Sequence, residues 1–329
     1  MALSGTADLL TKARAGDGEA FRELTEPHVR ELHVHCYRML GSVQDAEDAL
    51  QETLVSAWRN LPEFEGRSSL RTWLYRITTN RCLNVRRSTL RRREMEWSVP
   101  DFPPPEPSRL GEVVWLEPMP TSELAMDPDQ YVEQFESISL AFLTALQLLP
   151  RRQVAVLLLR DLLGFSAAEV AEMLGTTDQG VHSALKRARA SMDRARADLP
   201  VHDPDVSAEA RKTVAAFARA YERSDLDAVL DLLTDDVFLS MPPMPLEYVG
   251  RGVVGEFLHL FFASGRRYRL VETESNGQPA FGVYVRGADD CYHATGLFVL
   301  ALRAGRVSAM TRFESSHLAA FGLPRWLPD

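Results

Sequence analysis

The spacing of apolar residues divides the chain into helical and strand-like stretches before any chemistry is considered. From Thr6 to about Arg93 the apolar positions recur with a helical period, broken at Gly16-Asp17-Gly18, at Gly41-Ser42 and from Pro62 to Gly66. That stretch predicts a small helical bundle. Its third long helix, about Gln44 to Asn60, is expected to turn Ala46, Leu50, Thr53, Leu54 and Ala57 inward together with Leu61, leaving Asp48, Gln51, Glu52 and Arg59 outside. The next helix follows Phe64-Glu65-Gly66-Arg67-Ser68-Ser69; its predicted inner face is Leu70, Trp73, Leu74 and Ile77, and Thr72, Arg76, Thr79, Asn80 and Arg87 point away.

Between Leu146 and Arg196 the pattern is that of a helix-turn-helix. Ser166 with Glu169 three residues on forms a capping box, and Ala167, Val170, Ala171 and Leu174 make one apolar stripe that Gly175 ends. A second helix places Val181, Ala184, Leu185 and Ala188 inward and Gln179, His182, Ser183, Lys186 and Arg189 on the opposite face. Amide, imidazole and hydroxyl groups followed by cations suit base edges and phosphates in a major groove.

The remaining segments differ in kind. Residues 94–130 have no period and contain eight prolines, which predicts a linker, although Val114-Trp-Leu-Glu-Pro118 is apolar enough to dock on a surface. Residues 198–208 form a second, short linker. Beyond it two helices (209–233), a strand (Asp235 to Met241), a helix (Arg251 to Phe262) and four strands near 268–274, 280–286, 292–302 and 306–313 predict an α+β domain whose curved sheet wraps helices around a pocket.

At 329 residues, 45% hydrophobic and 25% charged, the chain is long enough for two or three globular domains. Net charge is −9 but unevenly spread: +3 over residues 1–93, −8 over 94–130, +1 over 131–197 and −5 over 198–329. A protein coating DNA indiscriminately is thereby excluded, whereas local basic faces are not. Three separated cysteines, Cys36, Cys82 and Cys291, make no disulfide framework, and neither a leader nor a membrane-spanning run is read, so a cytoplasmic location without membrane contact is expected. His33, His35 and Cys36 lie close together, but on a helix only His33 and Cys36 share a face, two ligands where zinc wants four; no metal and no cofactor are expected. Arg86, Arg87, Arg91, Arg92 and Arg93, beside Trp73 and Tyr75, offer cations and rings for opened single-stranded DNA.

The run Asp45 to Trp58, then Phe64 to Ile77 with Asn80 and Asn84, resembles region 2 of the extracytoplasmic-function sigma factors of bacterial RNA polymerase. The helix-turn-helix preceded by Leu148 to Arg160 resembles their region 4, and Asn276-Gly-Gln-Pro-Ala280 before a strand resembles the SnoaL-like members of the NTF2-like superfamily, which a subgroup of these sigma factors carries at the C-terminus. The resemblance implies two all-α domains, 1–93 and 131–197, followed by an NTF2-like α+β cone, 209–329. It implies a promoter-recognition subunit that is not itself an enzyme, with core polymerase (β′ clamp and β flap) and promoter DNA as partners. Asp45, Asp48, Gln51 and Glu52 would dock on the clamp; Phe64, Arg67, Ser68, Ser69, Arg76, Asn80 and Arg87 would recognise and melt the minus-ten element; Gln179, His182, Ser183, Lys186 and Arg187 would read the minus-thirty-five element. For the cone, Tyr221, Asp236, His293 and Glu314 are the candidate pocket residues for a small-molecule ligand, with no diagnostic catalytic spacing among them. The alternative is a ligand-responsive or small-molecule-transforming DNA-binding regulator that acts without core polymerase, its first domain serving only dimerisation. An apolar tail, Leu318 to Leu323 with Trp326, is expected to pack on Trp115 and Leu116 of the linker.

Overall fold

The computed structural model describes residues 2–85, 104–112, 114–124, 135–197, 199 and 207–329. In chain order, helices α1 (Ala2–Arg14), α2 (Gly18–Leu40), α3 (Val43–Asn60) and α4 (Leu70–Asn84) precede a two-residue strand β1 (Arg109–Leu110) and helices α5 (Leu140–Gln147), α6 (Arg151–Leu157), α7 (Ala167–Leu174) and α8 (Asp178–Ala197). Then come α9 (Ala208–Glu222), α10 (Leu226–Asp231), β2 (Leu233–Met241), β3 (Met244–Val249), α11 (Arg251–Ala263), β4 (Tyr268–Ser275), β5 (Gln278–Arg286), β6 (Tyr292–Arg303), β7 (Arg306–Glu314) and β8 (Trp326–Leu327). The chain groups into two compact units: Met1–Arg87 with Glu123–Ala125 and Leu149–Arg194, and Ser88–Ser122 with Met126–Leu148 and Ala195–Asp329. The division falls after Leu148, so α5 groups with the C-terminal sheet rather than with the helix-turn-helix.

In the helical unit the breaks between helices are set by local hydrogen bonding. Asp17 caps α2 by accepting from the backbone N–H groups of Glu19 and Ala20, and Gly41 closes it in the left-handed region at φ 74. Ser42 caps α3 through the Asp45 N–H, and Ser69 caps α4 through that of Thr72. Leu32, Cys36, Tyr37, Ala46, Ala57, Leu74, Tyr75 and Cys82 are buried. His35 is buried too, its Nε2 2.9 Å from Thr79 Oγ1. Burial, helped by the nearby Arg38 cation and only partly opposed by Glu31, holds the imidazole neutral and lowers its pKa to about 3.

The second unit is an eight-stranded sheet in the order β1-β3-β2-β7-β6-β5-β4, with β8 added beside β6. β2 and β7 run parallel and the other pairs antiparallel. Because side chains alternate across a strand, one face presents Leu239, Met241, Phe281, Val283, Phe298, Leu300 and Met310 to α9, α10 and α11, and these make the core with Phe217, Tyr221, Phe257 and Phe262. The strand β3, absent from the sequence expectation, starts just after Pro242-Pro243 and is half-buried over most of its length.

Candidate nucleic-acid and polymerase interface

The helix-turn-helix forms as its local signals require. Ser166 Oγ accepts from the Glu169 N–H and the Glu169 carboxylate accepts from the Ser166 N–H, while Gly175 ends α7 at φ 59. Val181, Leu185 and Ala188 of α8 are buried, and Ala184 is half-buried. Gln179, His182, Ser183, Lys186 and Arg187 are all exposed, and among the described residues none of their side chains has a hydrogen-bond or ion-pair partner. Arg189, expected on the same face, is instead held by both carboxylate oxygens of Asp161 at 2.7 and 2.8 Å, which tethers α8 to the segment before α7.

The face of α4 is occupied. Asn80 Nδ2 donates to the Met173 carbonyl of α7 at 3.0 Å, and Arg76 lies 3.6 Å from Glu172. Phe165, just before α7, packs edge-on against Tyr75 at 5.3 Å, and the Arg71 guanidinium lies over both rings. Arg71 is itself held 3.0 Å from Glu31, which also accepts from Tyr75 OH and sits 2.7 Å from His28 Nδ1. Burial opposes the charge of Glu31, but the hydrogen bonds from His28 and Arg71 outweigh it and keep the carboxyl below its usual range.

Two expectations for this helix are corrected. Tyr75 is fully buried and cannot receive a base as placed, and Thr79 faces His35 in the core rather than solvent. Phe64 is only 7% exposed, stacked at 4.9 Å on the half-buried Trp73 in a cluster with Ala13, Ala20, Leu24 and Leu61. Ser69 is the cap of α4, with its hydroxyl committed to Thr72; Ser68 is half-buried; Arg67 is exposed and pairs with Glu65. Arg87 and the arginines near it lie outside the described residues, as do most of residues 198–208.

On α3, Asp48, Gln51 and Glu52 are exposed and Asp45 is half-buried. Glu52 pairs with Arg81 of α4, so the acidic stripe is partly neutralised on one side. Val55, 49% exposed, continues the same surface toward the end of the helix.

The C-terminal unit does not bring the four candidate pocket residues together. Tyr221 is buried against Phe262, Tyr268 and Phe298, and desolvation raises its pKa. Asp236 is exposed and pairs with Arg303 at one end of β6, whereas His293 pairs with Asp289 at the other end, 2.9 Å away. Glu314 is half-buried at the end of β7. The tail folds back on its own sheet: β8 pairs with the start of β6, Tyr284 OH donates to the Pro324 carbonyl, and Trp326 is 57% exposed rather than packed on the linker.

A cluster that sequence reading did not single out for function holds the linker. Asn276, at φ 56 in the β4–β5 turn, accepts through Oδ1 from the Met119 N–H at 3.0 Å, donates through Nδ2 to the Ile138 carbonyl at 2.9 Å, and donates its own N–H to the Met119 carbonyl. Gly277 N–H donates to Thr121 Oγ1, and Gln278 Oε1 accepts from the Leu140 N–H. A Cβ on Gly277 would lie 2.9 Å from the Phe135 ring, and with φ at 73 only glycine suits the position. Upstream, β1 joins the sheet edge, Arg109 pairs with Glu247 and Tyr248 OH donates to the Pro105 carbonyl. Leu116 and Met119 are buried, so the apolar part of the acidic segment is docked rather than free.

Three family profiles match successive stretches of the chain. The Sigma-70 region 2 profile matches residues 24–93, the Sigma-70 region 4 profile residues 139–192, and the SnoaL-like domain profile residues 214–310. The chain is 41% identical over 322 residues to the ECF RNA polymerase sigma factor SigG of Mycobacterium tuberculosis, covering 94% of this chain and 85% of the relative. It is 32% identical over 188 residues to SigM of the same species, covering 57% of this chain and 83% of the relative. The crystal structure of the M. tuberculosis sigma factor SigJ matches the fold over 94% of this chain and 100% of that one, with a TM-score of 0.61 at 22% identity. With its two helical sigma regions followed by a SnoaL-like α+β domain, the chain belongs to the extracytoplasmic-function RNA polymerase sigma factors.

Proposed function

We propose that this sigma factor binds core RNA polymerase in the cytoplasm through Asp45, Asp48, Gln51 and Glu52 on the β′ clamp, with region 4 at the β flap, and reads promoter DNA with α4 and α8. The observation that carries the reading is the uniform exposure of Gln179, His182, Ser183, Lys186 and Arg187 along one face of α8. The two promoter elements lie about 25 base pairs, roughly 85 Å, apart along the duplex. A molecule that engages both must separate α4 from α7, whose side chains touch at Asn80 and Met173. The contacts of Phe165, Arg76 and Asn80 therefore define a closed state that polymerase and promoter open.

The C-terminal domain acts in this reading as a regulator in cis, not as a catalyst. Support comes from the separation of Tyr221, Asp236, His293 and Glu314 and from the linker contacts at Asn276. In vitro transcription with core polymerase tests both parts. Asp48→Lys is expected to abolish core binding while leaving the fold intact, and Asn276→Ala is expected to change transcription by releasing the linker. Unaltered core binding by Asp48→Lys would remove the clamp assignment; unaltered transcription by Asn276→Ala would remove control through the linker.

A further inference from the structure

The alternation of β2, β6 and β7 builds a second surface on the side of the sheet away from its core. Register places Phe238, Ala309 and Ala301 in one row and Ser240, Thr311 and Val299 in the next. The two alanines leave a depression, and Phe238, Ala301 and Ala309 form a small buried cluster of their own. Over this floor lie Leu140, Ala141 and Thr144 of α5, and Pro242, Met244 and Glu247 close one side. The result is a cleft of about 680 Å³, counted out to its open mouth, on the face of the sheet opposite the aromatic core.

We propose that this cleft is a binding site for a small, largely apolar molecule that is neutral or cationic and carries one or two hydrogen-bonding oxygens. The lining has the usual makeup of small-molecule sites, apolar walls with a few convergent polar groups. The hydroxyls of Thr144, Ser240 and Thr311 have no hydrogen-bond partner among the described residues. Gln278 uses its amide oxygen on the Leu140 N–H, which leaves its NH₂ as a donor at the wall. The charged groups lining the cleft are the carboxylates of Glu112 and Glu247, and the second already carries Arg109, so an anionic ligand meets repulsion without a dedicated cation. On the opposite side of the sheet the rings of Phe217, Tyr221, Phe281 and Phe298 pack against one another.

The test uses the full chain, needs no polymerase, and so stands or falls separately from the promoter-recognition reading. Nile red, a neutral apolar carbonyl dye, is titrated by fluorescence and compared with the anionic dye 8-anilinonaphthalene-1-sulfonate. Saturable Nile red binding is expected, weakened about tenfold or more by Ala141→Trp, which fills the cleft from α5. Thr144→Trp, at a half-buried position on the same helix, is expected to do the same and decides the matter if Ala141→Trp fails to fold. Glu112→Lys should strengthen binding of the sulfonate several-fold. The proposal is overturned if folded wild-type protein shows no saturable Nile red binding up to about 100 µM, if a folded tryptophan variant binds as wild type does, or if the sulfonate binds as tightly as Nile red.

Discussion

The outer faces of α4 and α8 belong to the same helical unit and are both assigned to DNA, yet they are in opposite conditions. On α8 the five assigned side chains are exposed and unpaired among the described residues, whereas on α4 the Asn80 amide is bonded to Met173, Arg76 faces Glu172, and Tyr75 lies beneath Phe165. The difference follows from neighbours rather than composition. α8 is the outer helix of its hairpin and packs by one stripe, but α4 has α2 and α3 on one side and α6 and α7 on the other. A helix enclosed in this way cannot serve DNA until one neighbour leaves.

The contrast can be broken at Phe165. Phe165→Ala removes the ring that contacts Tyr75 and Arg71 and should cost about 3–5 kcal/mol of stability, read as a lowered midpoint in denaturant, because a large buried side chain leaves a cavity behind. An effect below about 1 kcal/mol would mean that the α4 surface is not held by this contact.

Acid provides a second probe, which reaches the buried side of α4 through His35 and also titrates the half-buried His33 and His317. The His35 imidazole has its folded pKa at about 3, below the unfolded value of about 6.5, so the unfolded chain takes up the proton first. Stability is therefore full above pH 6.5 and falls as pH drops from there toward 3, by about 1.4 kcal/mol per unit, or roughly 2 kcal/mol by pH 5. Glu31, whose folded pKa is also lowered, adds loss in the same direction at lower pH. His35→Gln should flatten the upper part of this profile in urea titrations across pH; an unchanged slope would reassign it to other groups.

Asn80→Ala is a finer test. One hydrogen bond to the Met173 carbonyl is lost, worth about 1 kcal/mol, and amide exchange on α7 should quicken accordingly. Gln179→Ala, on the open face, should move stability by no more than about 0.5 kcal/mol while relaxing base preference in footprinting of the minus-thirty-five element. A large loss of stability there would mean that the α8 face is not open at all.

What could be read from the sequence divides along the same line. The hairpin α7–α8 was legible because its signals are local: the Ser166–Glu169 box, Gly175, and one apolar stripe facing one way. Thr79 and Tyr75 were misplaced because periodicity assumes a helix with a single buried face, and α4 is covered on two. Four long strands of the C-terminal sheet followed from alternation and from turns such as Asn276-Gly277, but β3, with Pro245 and Glu247 inside it, earned no strand assignment until its partner β2 was known. The role of Asn276 was hidden for another reason. Its partners, Met119 and Ile138, are more than a hundred residues away, and a segment rich in proline and carboxylates reads as a spacer wherever its backbone bonds go.

That separation also sets a clock during synthesis. Met119 leaves the ribosome 157 residues before Asn276, the group that satisfies its N–H. At the usual elongation rates of about 5–20 residues per second, the nascent linker waits roughly 8 to 30 s for its partner. Throughout that interval every helix from α1 to α8 has been synthesised or is being synthesised, whereas the β4–β5 turn does not yet exist. Each newly made molecule thus passes through a period in which its helical sigma regions exist before the turn that holds the linker, and the length of that period is written in the order of the segments along the chain.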